Sequence, residues 1–97
     1  MDNFRVIYKI LKILEAALDY EEFNPAESIT ARALNVSEAR FLALIMMMQK
    51  SGYIKGVLHG ETLPGTSTDI SGMKITMKGL EYLYKNAMLF HITELPC

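Results

Sequence analysis

Thr30-Ala-Arg-Ala-Leu-Asn35-Val-Ser37-Glu-Ala-Arg40-Phe-Leu-Ala-Leu-Ile45-Met-Met-Met-Gln-Lys50-Ser-Gly52 contains two helices and the turn between them. Thr30 has a side-chain oxygen suited to cap a short helix, and Asn35 is the non-glycine type that best tolerates positive φ, so the helix can end there. Ser37 then caps a second helix, and Gly52 stops it at the first position beyond its end. Short helix, tight turn, longer helix is a helix-turn-helix. The longer helix, Glu38 to Ser51, has eight consecutive apolar residues from Phe41 to Met48. On a 3.6-residue turn Phe41, Leu44, Ile45 and Met48 form one stripe, and Ala39, Leu42, Ala43 and Met46 form a second at the same spacing. A small domain covers the first with its own core. The second faces solvent, a partner chain or more of the core.

Outward from this pair, the chain alternates between periods. A first helix runs to about Tyr20, capped by Asp2 or Asn3, with Arg5, Lys9, Lys12, Glu15 and Asp19 on its wet face. Phe4, Ile7, Leu11, Leu14 and Leu18 line the dry face, flanked by Val6, Ile10 and Ile13. This broad arc suits packing on more than one side. Glu21 to Pro25 reads as a connector, because Pro25 drives Asn24 out of helical geometry. Ile29 is a candidate for a short edge strand. After Gly52 the pattern switches to strands: Tyr53 to His59, a loop rich in Gly, Thr, Ser and Pro from Gly60 to Ser71, and a return strand Met73 to Ile75. Thr76 caps a last helix from Met77 to about Leu89, with Leu80, Leu83, Tyr84 and Ala87 or Met88 inward. Residues 91–97 read as a frayed tail. The order α-(β)-α-α-β-β-α describes one mainly α (α+β) domain over residues 1–97. It is a winged helix-turn-helix: three helices, a two- or three-stranded wing hairpin and a C-terminal helix.

Composition narrows the function classes. Among 97 residues 51% are hydrophobic and 22% charged, a profile of an ordered globular chain with one core. A formal net charge of −1 supplies no global pull toward nucleic acid or an anionic membrane. The apolar runs are shorter than a bilayer span. The single cysteine, Cys97, cannot close an intramolecular disulfide, and no secretory signal leads the chain, so a reducing cytoplasm is the expected compartment.

The closing half carries a further signal. Gly52-Tyr53-Ile54, a hairpin and then Ile75-Thr76-Met77-Lys78-Gly79-Leu80-Glu81-Tyr82-Leu83 resembles the second half of many small bacterial winged-helix proteins. With the opening Phe4-Arg5-Val6-Ile7-Tyr8-Lys9-Ile10-Leu11 and the turn Asn35-Val36-Ser37-Glu38, the sequence is most similar to the YjcQ family. These are small winged-helix proteins of Gram-positive bacteria and their prophages. The resemblance spans roughly residues 3 to 85. It implies the fold and a phage or prophage setting, and it marks no catalytic residue.

Chemistry read residue by residue leaves two functions. DNA recognition needs cations toward phosphates and Arg, Lys, Asn or Gln toward base edges. The candidate DNA contacts are Arg32, Arg40, Gln49, Lys50, Lys55 and Lys74, with Lys78 near the last helix's start. Glu38 opposes them, and the wing from Gly60 to Ser71 has no Lys or Arg but carries Glu61 and Asp69. The candidate protein interface is Ala39, Leu42, Ala43, Met46 and Met47: small residues for close approach, larger ones for buried area, and methionines that adapt to an inexact fit. Tyr8, Tyr20, Tyr82, Tyr84 and Phe90 are candidate anchors for a second interface on the terminal helices.

His59 and His91 lack a neighbouring ligand set, no phosphate loop, nucleophile elbow or zinc spacing occurs, and Cys97 lacks an electropositive setting, so no enzyme, metal or cofactor is expected. The favoured reading is a non-enzymatic protein-interaction or dimerisation module. Its partner is itself or another protein, with no membrane and no small-molecule substrate. The alternative is a DNA-binding transcriptional regulator, acting as a dimer on duplex DNA through helix 38–51 and the 60–71 wing.

Overall fold

The computed structural model describes residues 3–60 and 67–94, and their side chains within 3–58 and 68–86. Helix α1, Asn3–Ala16, tightens into a 3-10 turn at Ala17–Asp19, so the helix expected to reach Tyr20 stops a turn early, with Tyr20 extended. Its buried side is Val6, Ile10, Leu11 and Leu14, while Phe4 and Leu18 are exposed and Ile7 is half-buried. The core-facing stripe is thus rotated from the one read in the sequence. A broad apolar arc offers several stripes at helical spacing. The neighbours choose among them, and here these are α4, α5 and β4, defined below.

The connector hides a single helical turn, α2, Pro25–Ser28. Asn24 is extended as Pro25 requires, and its Oδ1 accepts from the Ala26 amide at 3.0 Å. Ile29 is extended and buried but belongs to no strand, because its amide donates to Pro25 O at 2.7 Å and closes α2. The edge strand suggested for it is therefore replaced by a helix end.

Helix α3, Ala31–Leu34, and helix α4, Glu38–Lys50, form the helix-turn-helix. Thr30 Oγ1 accepts from Ala33 N at 3.0 Å, and Ser37 Oγ accepts from Arg40 N at 3.1 Å. The two helices end in the same way. Asn35 is left-handed at φ 58, with Val36 N on Ala31 O at 3.0 Å and Asn35 N on Arg32 O at 3.1 Å. Gly52 takes φ 89, with Tyr53 N on Met48 O at 2.9 Å and Gly52 N on Gln49 O at 3.0 Å. Each pair of bonds satisfies terminal carbonyls that the helix leaves open, in the Schellman arrangement.

Beyond Gly52, β1 (Ile54–Lys55) pairs antiparallel with β4 (Lys74–Ile75), and β2 (Leu58–Gly60) with β3 (Ser67–Asp69). The single strand read from Tyr53 to His59 is interrupted at Gly56 and Val57, and pairing reaches into the segment read as loop. Gly56 causes the break. It sits at φ 86, and a Cβ there would run into the Gly72 carbonyl oxygen across the hairpin. Residues 61–66, with Glu61, lie outside the described part.

Thr76 caps α5, Met77–Glu94, by accepting from Gly79 N at 3.1 Å. The helix passes the expected end at Leu89 and includes the first residues of the expected frayed tail. Residues 95–97 lie outside the described part. Leu83 is buried and Leu80 half-buried, but Tyr84, read as inward, is 85% exposed. Ala87, Met88 and Phe90 lie outside the described side chains. Leu83 and the hairpin's Ile54, Met73 and Ile75 join α1 and α4 in one apolar cluster. The arrangement is winged-helix-like: a largely helical domain with a small antiparallel hairpin.

The pinch at Gly56 gives a direct test. Gly56→Ala forces a Cβ against backbone in a left-handed conformation, and the fold should lose about 2–4 kcal/mol in chemical denaturation. An equivalent change at exposed Gly72, which has no positive φ, should cost far less.

Candidate contact surface of helix α4 and the wing

Helix α4 buries Phe41, Leu44, Ile45 and Met48 and nothing else of its length. With the core on that side, the opposite face is centred on Ala39, Ala43, Met46 and Lys50, with Leu42 and Met47 to either side. Ala39, Leu42 and Ala43 are exposed, and Met47 is 59% exposed. Met46 is intermediate and touches the core cluster, so it belongs to the face only in part. The second stripe is thus at the surface along most of its length, with its Met46 end leaning inward.

The six candidate DNA contacts are dispersed. Arg32 is exposed on α3. Arg40 and Lys50 stand at opposite ends of α4, ten residues apart, or about 15 Å along the axis. Arg40 already donates through Nη1 to Asn3 Oδ1 at 2.7 Å, which ties the first turn of α4 to the first turn of α1. Lys55 and Lys74 are exposed and lie opposite one another across the β1–β4 pair, two like charges side by side on the hairpin's outer face. Lys78 extends to the ring of Tyr53, its Nζ 5.5 Å from the centroid. That ring also packs on Tyr82 at 5.1 Å between centroids, so Tyr82 is a half-buried part of an aromatic pair. Of the other anchors, Tyr8 is half-buried against the core and Tyr20 is 67% exposed.

Gln49 has a different task from base reading. Its Nε2 donates to Val57 O at 3.1 Å and its Oε1 accepts from Val57 N at 2.8 Å. Val57 lies in the break between the two strand pairs, where the ladder supplies no partner for its amide or carbonyl, and its side chain is buried. An amide side chain satisfies both groups at once because it carries a donor and an acceptor. The bond also fixes where the wing leaves α4. The sequence contains no signal for this, since any polar residue suits the last turn of a helix.

The end of β3 nearest the hairpin base shows an acidic residue in a fixed setting. Asp69 Oδ1 accepts from Ser71 N at 2.9 Å. The Ser71 backbone and then its hydroxyl hold the Asp69 carboxyl below the usual carboxylate value, which favours its charged form. Among the described residues no three His, Cys, Asp or Glu side chains gather into a metal site, and no helix is long and apolar enough to cross a membrane.

The YjcQ family model, described as YjcQ protein, matches residues 8–95. The chain belongs to the YjcQ family. No curated protein matches it, and no solved structure does. Membership agrees with the resemblance read over roughly residues 3 to 85 and carries the match on to residue 95.

Removing the Gln49 clamp leaves a buried amide and carbonyl without partners. Gln49→Leu should destabilise this YjcQ domain by about 1–3 kcal/mol. Hydrogen exchange should quicken first at Val57 and along β2–β3, while the amides of α1 remain protected. Uniform acceleration across all elements would show that Gln49 serves general packing and not the wing junction.

Proposed function

We propose that this YjcQ-family domain is a non-enzymatic protein-contact module and that the outward face of α4 is its contact surface. The observation that supports the reading is the position of that face. It occupies the place of a recognition helix, yet it offers Ala39, Leu42, Ala43 and Met47 where a base reader needs donors and acceptors. Apolar groups in a major groove distinguish little beyond a thymine methyl. On a protein partner the same residues supply close approach and buried area. Covering roughly 300 Å² of such surface would contribute a gross gain of about 7 kcal/mol at 25 cal/mol per Å², of which association entropy removes much. A modest, reversible contact follows, with a second copy of the chain or with another protein.

The second reading, a dimeric DNA-binding regulator, has the fold's general association with nucleic acid and the Lys55–Lys74 pair in its favour. Against it stand the engaged Arg40 and Gln49 side chains and the charged Asp69 of the wing.

Titration with arbitrary duplex DNA at low salt separates the two, because non-specific affinity is carried by phosphate contacts and needs no known site. The protein-contact reading expects no anisotropy change up to tens of micromolar protein. Binding that falls steeply with salt and disappears in Arg40→Glu with Lys50→Glu would overturn it. Ala43→Glu and Met47→Glu sit on exposed positions and should leave the unfolding free energy within about 0.5 kcal/mol of the parent. Met46→Glu should cost more, because its side chain is partly in the core.

A further inference from the structure

The hairpin is two ladders in different register. Lys55 stands opposite Lys74, and Leu58 opposite Asp69. Gly56 and Val57 on the outgoing side therefore face four residues, Ile70 to Met73, on the return. The surplus folds into a tight turn, with Met73 N on Ile70 O at 3.0 Å and Ser71 N on Asp69 Oδ1 at 2.9 Å. A bulge of this kind interrupts the ladder and bends the strand that carries it. Gly56 and Gly72 are the residues whose backbones come together across it, and neither brings a side chain to brace the break.

Beyond the break, β2 and β3 find their main contact in each other. Leu58 and Asp69, the pair nearest the break, are both exposed. Among the described residues, three groups seat this outer wing on the body of the domain. The Val57 and Ile70 side chains are buried in the core cluster, and the Gln49 amide supplies the partners of Val57 N and Val57 O. The β1–β4 pair is held more firmly. Ile54, Met73 and Ile75 are buried around it, and Thr76 ties it to Gly52 and Tyr53. Segments held by few buried contacts open before the whole domain does, and they open as cooperative units.

We propose that residues 57–60 and 67–70 form a unit that releases from α4 while the rest of the domain stays folded, with the Gln49 amide as its latch. The pivot is the Gly56–Gly72 crossing. With the latch closed, Val57 and Ile70 are seated in the core and the wing has one direction. When the Gln49 bonds open, both side chains leave their seats. A two-stranded ladder without support is marginal in water, so β2–β3 loses its pairing in the same event. Release bares the apolar seat of Val57 beside the last turn of α4. The device belongs to the fold and does not depend on which partner α4 meets.

The test is native-state amide hydrogen exchange followed by NMR, on the parent and two variants compared at equal pH. In the parent, the protected amides of 57–60 and 67–70 should share one protection factor. It should lie at least about tenfold below those of α1 and α4, with a weaker dependence on urea. Gln49→Leu should lower the shared value about tenfold further and leave α1 unchanged. Gln49→Glu separates the latch from packing. Near neutral pH its carboxylate accepts from Val57 N but has no donor for Val57 O, so the outer wing should open as in Gln49→Leu. The protonated acid supplies that donor, which raises the folded-state pKa of the introduced carboxyl. The latch therefore returns as pH falls through that value, and protection should recover to within about threefold of the parent. Asp69 loses its bond from Ser71 N when it is protonated in acid, and this affects parent and variant alike. An outer wing that exchanges only together with α4, at one urea dependence, would overturn the proposal. So would an outer wing without protection in the parent, or one that is indifferent to pH in Gln49→Glu.

Discussion

The hydroxyl of Thr76 is where the parts of this fold meet. It donates to Gly52 O at 2.5 Å and accepts from Gly79 N, while the Thr76 amide donates to Tyr53 O at 3.2 Å. Gly52 ends α4, Tyr53 leads into β1, and Gly79 lies in the first turn of α5. One residue thus locks the end of the helix-turn-helix to both ends of the hairpin base and starts the closing helix. The bonds to Gly52 and Gly79 use the donor and the acceptor of a single hydroxyl, which neither valine nor alanine can supply. With this junction fixed, Ile54 and Ile75 oppose one another across β1–β4 and both face the core. Everything beyond Lys55 is then an extension of the hairpin, held to α4 by Gln49.

Local signals that depend on one or two residues were legible in the sequence. Thr30, Ser37 and Thr76 cap, Asn35 and Gly52 turn left-handed, and Pro25 excludes Asn24 from a helix, because each effect lies within one turn of backbone. The core stripe of α4 was equally legible, since a run with only one well-filled stripe of large residues has one way to pack. α1 was not, since its arc contains more apolar residues than one face can use. Which of them go inward depends on α5 and β4, far away in sequence. The interruption at Gly56 was also hidden. A glycine in a strand suggests a bulge or a close approach, but that the close approach comes from Gly72 is a fact of register.

The candidate contact residues divide along the same line. Exposure of Ala39, Leu42, Ala43 and Met47 follows from helical geometry once the opposite stripe is the core. The fates of Arg40 and Gln49 do not, because their partners, Asn3 and Val57, are set by tertiary placement. The exposure of Leu18, Tyr20 and Phe23 left a faint trace, apolar residues interleaved with Asp19, Glu21 and Glu22 where a helix pattern should continue. Periodicity alone assigns Leu18 to the core. Only the tightening into a 3-10 turn releases it.

The outward face of α4 raises a question of necessity. Alanine, leucine and methionine favour helix, but lysine, glutamine, glutamate and arginine do so almost as well, within a few tenths of a kcal/mol per residue. A solvent-facing stripe of those residues would fold α4 equally well and keep the surface wet. Neither helix formation nor the core therefore requires Leu42 and Met47 at exposed positions, and exposed apolar residues on a small domain carry a standing risk of unwanted association. Apolar side chains at Leu42 and Met47 that the fold does not need, between Arg40 and Lys50 on α4, support the proposal that this face is a contact surface.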